Sequence, residues 1–255
     1  METLYLTGAI ILIGLLLGLI QNNATRNFQR SFGRNALMVT GIIGTPIHEM
    51  SHAGSALLFG HKINDIKLFQ RPDENGVMGY VNHAYNKNSL YQQIGNFFIG
   101  VAPIFGGILV IIGLMRLLIP EAFAKFITIM VESVNFDTFS MATIEGIATA
   151  YLGLLKIIFS WSNFQNAYFY LFLFIAICIS SHMSLSLADI KGASRGLLTI
   201  FLVVLVFNIL GLSQYITTVN IIKYNVFITG FLMITVIFSV ITYLISLLSV
   251  LIARR

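Results

Sequence analysis

One short stretch of the sequence combines side chains that can bind and use a metal ion. His48 and His52 are four residues apart, and Glu49 directly follows the first histidine. On an α-helix this spacing places both imidazoles on one face, where they can share a single zinc ion. Glu49 would stand about 100° around the helix, close enough to reach a water held by the metal without being a ligand. The pattern predicts a zinc site with an adjacent general base.

The segments that flank this motif are apolar, which favours a functional metal site inside a membrane. Residues 39–47 and 53–59 contain almost only apolar side chains. Two unrelated histidines on a polar helix face would be the alternative, but that interpretation predicts a soluble setting. An ionisable side chain at membrane depth costs at least about 2.5 kcal/mol and is by default functional.

The composition predicts an α-helical polytopic membrane protein. Hydrophobic residues make up 57% of the 255 residues and charged residues 10%, against about 25% charged residues in soluble domains. Several apolar runs reach the ~20 residues that cross a bilayer. We expect a single domain over residues 1–255, with its core at 36–195, embedded in the lipid bilayer of a bacterial cytoplasmic membrane.

The charge pattern excludes a nucleic-acid partner, and the cysteine content excludes disulfide bonds. The net charge of +5 is spread over loop ends and finishes in Arg254 and Arg255, whereas nucleic-acid binding requires a clustered basic face. Cys178 is the single cysteine and lies in an apolar run, so a thiolate metal ligand is not expected. No basic residue precedes the first apolar segment, which predicts an uncleaved helix rather than a secretory signal.

Apolar runs predict about six to seven transmembrane helices. The first covers residues 4–20 and precedes a polar loop at 21–35, and the second, at 36–59, carries the histidine pair. Residues 141–159 are apolar enough to span but include Glu145, so the sequence leaves open whether they cross. Further spans are predicted at 94–118, 166–181, 196–212 and 226–252.

The polar interval at about 60–90 predicts a small membrane-associated β-hairpin. Residues 62–69 and 77–85 alternate between polar and apolar side chains, and Asn75-Gly76 between them is a turn sequence that favours hairpins. His61 and His83 also lie in this interval, and we expect them to be solvated loop histidines.

A catalytic zinc ion usually has three protein ligands and a water, so a third ligand is needed. Asp189 is the one carboxylate in a short polar break between two strongly apolar segments, and it is the first candidate. His182, Glu145 and a hairpin histidine remain alternatives. Without a metal, Asp189 would cap a helix or form an ion pair with Lys191.

These motifs resemble the site-2 protease family of intramembrane zinc metalloproteases. The resemblance covers about residues 36–107 and 180–195. It includes the embedded His48-to-His52 motif, the hairpin directly after it, the segment Gly100-Val101-Ala102-Pro103, and the later Asp189. The family's Leu-Asp-Gly and Asn-Pro elements are not present around Asp189.

The resemblance implies both a site and an activity. His48, His52 and Asp189 would bind Zn2+, and Glu49 would be the general base of an endopeptidase that cleaves membrane protein or peptide substrates. The hairpin would offer a strand edge to an extended substrate segment. The alternatives from other classes are a non-enzymatic zinc-binding membrane interaction protein and a cation transporter. A transporter would favour inverted repeats, which are not evident, so peptide-bond hydrolysis is preferred.

Overall fold

The computed structural model describes residues 2–33, 36–74, 76–134, 149, 152–209 and 218–253. Within this part of the chain, eight helices and two strands have defined bounds. The helices are α1 (Glu2–Phe32), α2 (Ala36–Leu58), α3 (Leu90–Leu118), α4 (Pro120–Val134), α5 (Trp161–Phe164), α6 (Ala167–Ser180), α7 (Leu187–Ile209) and α8 (Thr218–Ala253). Residues 152–158 are also helical. Four residues named above lie outside the described residues: Asn75, Glu145, Arg254 and Arg255.

Among the described residues, two helical segments are long and apolar enough to cross a membrane, namely α3 and residues Thr235–Ala253 of α8. With 29 residues, α3 is about 44 Å long at ~1.5 Å per residue, which exceeds the ~30 Å hydrocarbon core of a bilayer. The apolar α6 has 14 residues and is shorter than that core. The predicted helical class is confirmed, while the predicted number of crossings stays a prediction, as does the crossing of residues 141–159.

The predicted hairpin is confirmed. Strand β1 (Lys62–Lys67) pairs antiparallel with strand β2 (Tyr80–Ala84). The register is interrupted between Ile63 and Asp65, and both strands are shorter than predicted. In the turn region Gly76 has a φ of 80°, a left-handed conformation that glycine adopts without strain.

The prediction of a polar loop at residues 21–35 is wrong, because α1 continues through most of this range and ends at Phe32. Gln21 is 3% exposed and Ala24 is 4% exposed, so part of the expected loop lies on a buried helix face. The predicted span at 4–20 is therefore only the first part of a helix of 31 residues.

The polar residues of α1 find partners on α8. Gln21 Nε2 donates a hydrogen bond to Ser239 Oγ at 3.3 Å, and Asn27 Nδ2 donates to Ser246 Oγ at 3.1 Å. These contacts give hydrogen-bond partners to polar side chains at the interface of the two helices. The partner face of α8 is a row of buried hydroxyl residues at alternating spacings of four and three: Thr235, Ser239, Thr242, Ser246 and Ser249.

The two helices that matter for the candidate site both pack against α3. Helix α2 carries the histidine pair and α7 carries Asp189. The apolar core beside them includes four fully buried phenylalanines: Phe126, Phe169, Phe172 and Phe238. Since α3 contacts both α2 and α7, it is the scaffold that sets the distance between the two parts of the site.

Candidate metal centre

The predicted histidine pair forms one turn of α2. His48 Nε2 lies 3.1 Å from His52 Nε2, and the ring centroids are 4.8 Å apart in an edge-to-face arrangement. The four-residue spacing places both rings on one helix face. The part of the site that depends only on helix periodicity is thus present as the sequence predicts.

Asp189 joins the histidine pair from the first turn of α7. Its Oδ1 is 3.2 Å from His52 Nε2, and its Oδ2 is 3.8 Å from His48 Nε2. The potential ligand atoms of the three residues all lie within 4.8 Å of one another. Among the described residues, this is the only group of three or more histidine, cysteine or acidic side chains close enough to hold a metal.

Asp189 also caps its own helix. The Ser186 backbone N–H donates to Asp189 Oδ2 at 2.7 Å, and the Asp189 backbone N–H donates to Ser186 Oγ at 3.2 Å. This reciprocal pair is a capping box, which fixes the first turn of a helix. Asp189 can therefore cap α7 and serve as a metal ligand at the same time, because its Oδ1 remains directed at His52.

Main-chain carbonyls orient both histidines. His48 Nδ1 lies 2.6 Å from His182 O, and His52 Nδ1 lies 2.7 Å from Ile99 O. A carbonyl only accepts, so each Nδ1 carries a proton, and each ring in its neutral form presents the lone pair of Nε2 to the cluster. In the neutral rings two lone pairs and a carboxylate converge, and a proton or a metal ion between them offsets their repulsion. This donor set fits zinc, and such carbonyl contacts are the usual outer support of histidine ligands.

His182, an alternative third ligand, is not in the cluster. Its Nε2 lies 3.0 Å from Thr40 Oγ1 and its Nδ1 lies 3.5 Å from Thr45 Oγ1. The ring is thus held against the first half of α2, and only the backbone carbonyl of His182 contacts His48. The other alternative, Glu145, lies outside the described residues.

Glu49 is covered by the hairpin. The side chain is 7% exposed, and a Cβ added to Gly79 would lie 2.8 Å from both Glu49 Cγ and Thr45 Cγ2. Gly79 directly precedes β2, so only a residue without a side chain lets the hairpin approach the proposed base this closely. The hairpin and the motif therefore form one site rather than two separate features.

The expectation that the hairpin histidines are solvated is wrong for His61, which is 3% exposed. Its Nδ1 contacts His83 Nδ1 and its Nε2 contacts Gln92 O. Neither histidine belongs to the cluster around Asp189. As third ligands they are therefore excluded by position.

Gln21 is a positioning residue that is not predicted from the sequence. Its Oε1 accepts from the Ser184 backbone N–H at 2.6 Å, and its Nε2 donates to Ser180 O. It thus contacts both sides of His182, whose carbonyl orients His48. The signal that could have identified Gln21 is the hydroxyl row of α8, whose regular spacing indicates a polar helix partner.

The place where α3 meets α7 gives a testable prediction about the position of Asp189. A Cβ added to Gly100 of α3 would lie 2.6 Å from Asp189 O and 2.7 Å from Ala193 Cβ. Gly100→Ala therefore has to displace the first turn of α7. We expect zinc affinity to fall by about tenfold or more, measured as a zinc dissociation constant on the purified protein.

The matched control lies on the same helix. A Cβ added to Gly113 meets no atom within 4 Å, so Gly113→Ala should keep zinc affinity and raise helix stability by about 0.5–1 kcal/mol. Equal zinc affinity in Gly100→Ala and the wild type would contradict the proposed role of this close contact.

Comparison of the chain with protein-family models, with curated proteins and with solved structures gave no match.

Proposed function

We propose that this protein is a zinc-dependent intramembrane endopeptidase of the site-2 protease type. The observation that carries the proposal is the cluster of His48, His52 and Asp189, which joins a distant carboxylate to a helical histidine pair beside Glu49. Metal-binding side chains next to a buried carboxylate are typical of zinc hydrolases. The apolar helices around the cluster support a location inside a multi-pass membrane protein.

His48, His52 and Asp189 would hold the zinc ion. Zinc, when bound, polarises a carbonyl group and makes water more acidic. The Nδ1 contacts with His182 O and Ile99 O keep the two rings in the orientation that binding needs. The Asp189 carboxylate adds negative charge, which offsets the cost of a divalent cation in an apolar environment.

Glu49 would move the protons of the reaction. Its carboxylate takes a proton from the attacking water as the new carbon–oxygen bond forms. The same proton is then given to the nitrogen of the peptide bond as the carbon–nitrogen bond breaks. Its burial beneath Gly79 excludes bulk water, which strengthens electrostatic interactions at the site.

The hairpin would present the substrate to Glu49. A helical peptide bond is shielded by its own hydrogen bonds, so a membrane segment must become extended before it is cleaved. In the part of the chain that the structure describes, the sheet consists of β1 and β2 alone, so each strand has an edge. An unpaired edge binds an extended segment by strand addition. Gly79 lies in close contact with Glu49, the proposed general base. This contact brings the sheet to Glu49 and supports membrane protein segments as the substrate class.

Mapping of cleavage sites in membranes tests the proposed function. Membranes with the protein, and matched membranes without it, are incubated with or without a zinc chelator. New N-termini are then identified by mass spectrometry. We expect protein-dependent N-termini inside apolar segments, their loss with the chelator and their return with added zinc, because the site requires the metal. Cleavage that persists after chelation would contradict zinc dependence, and no protein-dependent cleavage in apolar segments would contradict proteolysis.

A further inference from the structure

A second pair of histidines faces each other at the base of the hairpin. His61 Nδ1 lies 3.0 Å from His83 Nδ1, and the ring centroids are 4.9 Å apart with an interplanar angle of 52°. The nitrogen separation is close to the 3.1 Å between His48 Nε2 and His52 Nε2. In both pairs, two imidazole nitrogens approach so closely that a proton or a metal ion must lie between them.

His61 is held with one lone pair directed at His83. As the chain leaves α2, the His61 backbone N–H donates to Ala56 O at 2.8 Å. Its ring Nε2 lies 2.8 Å from Gln92 O, so Nε2 carries the proton and Nδ1 of the neutral ring does not. The ring also stacks on Tyr85 at a centroid distance of 5.2 Å. A carbonyl contact at the remote nitrogen is the usual support of a metal-binding histidine.

His83 brings the second nitrogen from β2, where it pairs with Ile63. Its side chain is half-buried, so solvent can complete the coordination of an ion. The neutral ring is the form that binds a metal.

We propose that His61 and His83 form a second metal site, which binds Zn2+ through both Nδ1 atoms and completes its coordination with water. Neutral imidazole is a preferred ligand of zinc. No further acidic, thiol or imidazole group joins this pair among the described residues, so its affinity should be lower than that of the three-ligand cluster. The ion would connect the end of α2 to β2, the strand that follows Gly79 above Glu49.

Zinc stoichiometry tests the second site. The full chain is purified in detergent without a polyhistidine tag and is brought to equilibrium with zinc by dialysis. We expect two ions per chain in the wild type and one in His83→Gln, because glutamine can still hydrogen-bond to His61 but does not replace an imidazole ligand. Asn82→Gln, at the neighbouring exposed position of β2, is the matched control and should retain two ions.

A double variant separates the two sites. His48→Ala/His52→Ala should retain one ion, and adding His83→Gln should remove it. If the wild type binds one ion and loses it in His83→Gln alone, the second site is supported while the proposed function fails. A stoichiometry that His83→Gln does not change would overturn the inference and leave the His61–His83 pair as a hydrogen bond only.

Discussion

Glu49→Gln is expected to abolish peptide-bond cleavage and to leave zinc binding intact. Glutamine has almost the same shape as glutamate but cannot accept the proton of the attacking water. Loss of a general base lowers rates by about 10²- to 10⁴-fold. Because His48, His52 and Asp189 form the cluster without Glu49, zinc stoichiometry should stay at the wild-type value. Cleavage of a membrane substrate and zinc content are measured on the same preparation.

Met50→Leu is the matched control for this change. Met50 is the next residue on α2 and is 58% exposed, so its substitution should alter neither cleavage nor zinc content. The experiment also separates the proposed function from its alternatives. A non-enzymatic zinc-binding protein would retain its interactions in Glu49→Gln, and a transporter would lose cation flux instead of proteolysis. Cleavage at the wild-type rate in Glu49→Gln would refute the role of Glu49 as the base.

Asp189→Asn is expected to remove most of the zinc affinity and, with it, the activity. Asparagine keeps the size of the side chain but lacks the negative charge and the anionic donor that face His52 Nε2 at 3.2 Å. Changes in residues that only support a ligand cost about 10- to 100-fold in metal affinity, and loss of a ligand should exceed this range. Competition with a chromophoric zinc chelator measures the change.

A capping variant separates the metal-binding role of Asp189 from its role in α7. Ser186→Ala removes the hydroxyl that accepts the Asp189 N–H and should destabilise the protein by about 1 kcal/mol. The Asp189 carboxylate remains, so zinc affinity should change far less than in Asp189→Asn. If the two variants lost the same zinc affinity, the carboxylate would act through the helix cap and not as a ligand.

The sequence by itself determined the features that depend on local periodicity. The spacing of His48 and His52 is enough to place both rings on one helix face, because 3.6 residues complete a turn. Alternation around Asn75-Gly76 likewise predicted the pairing of β1 and β2. Asp189 was identified by elimination among few carboxylates, and the structure places it beside the two histidines.

Only the tertiary structure decided the features that depend on partners distant in sequence. Gln21 was predicted to lie in a loop because local polarity does not reveal a buried polar contact. Its partners, Ser184 and Ser239, lie on other segments. His182 was predicted as an alternative ligand, but its backbone carbonyl and not its ring faces His48. His61 was predicted to be solvated, but the fold buries it against Gln92 O. Hydrogen bonds between distant segments are set by how helices pack, and one local pattern of residues is compatible with many such packings.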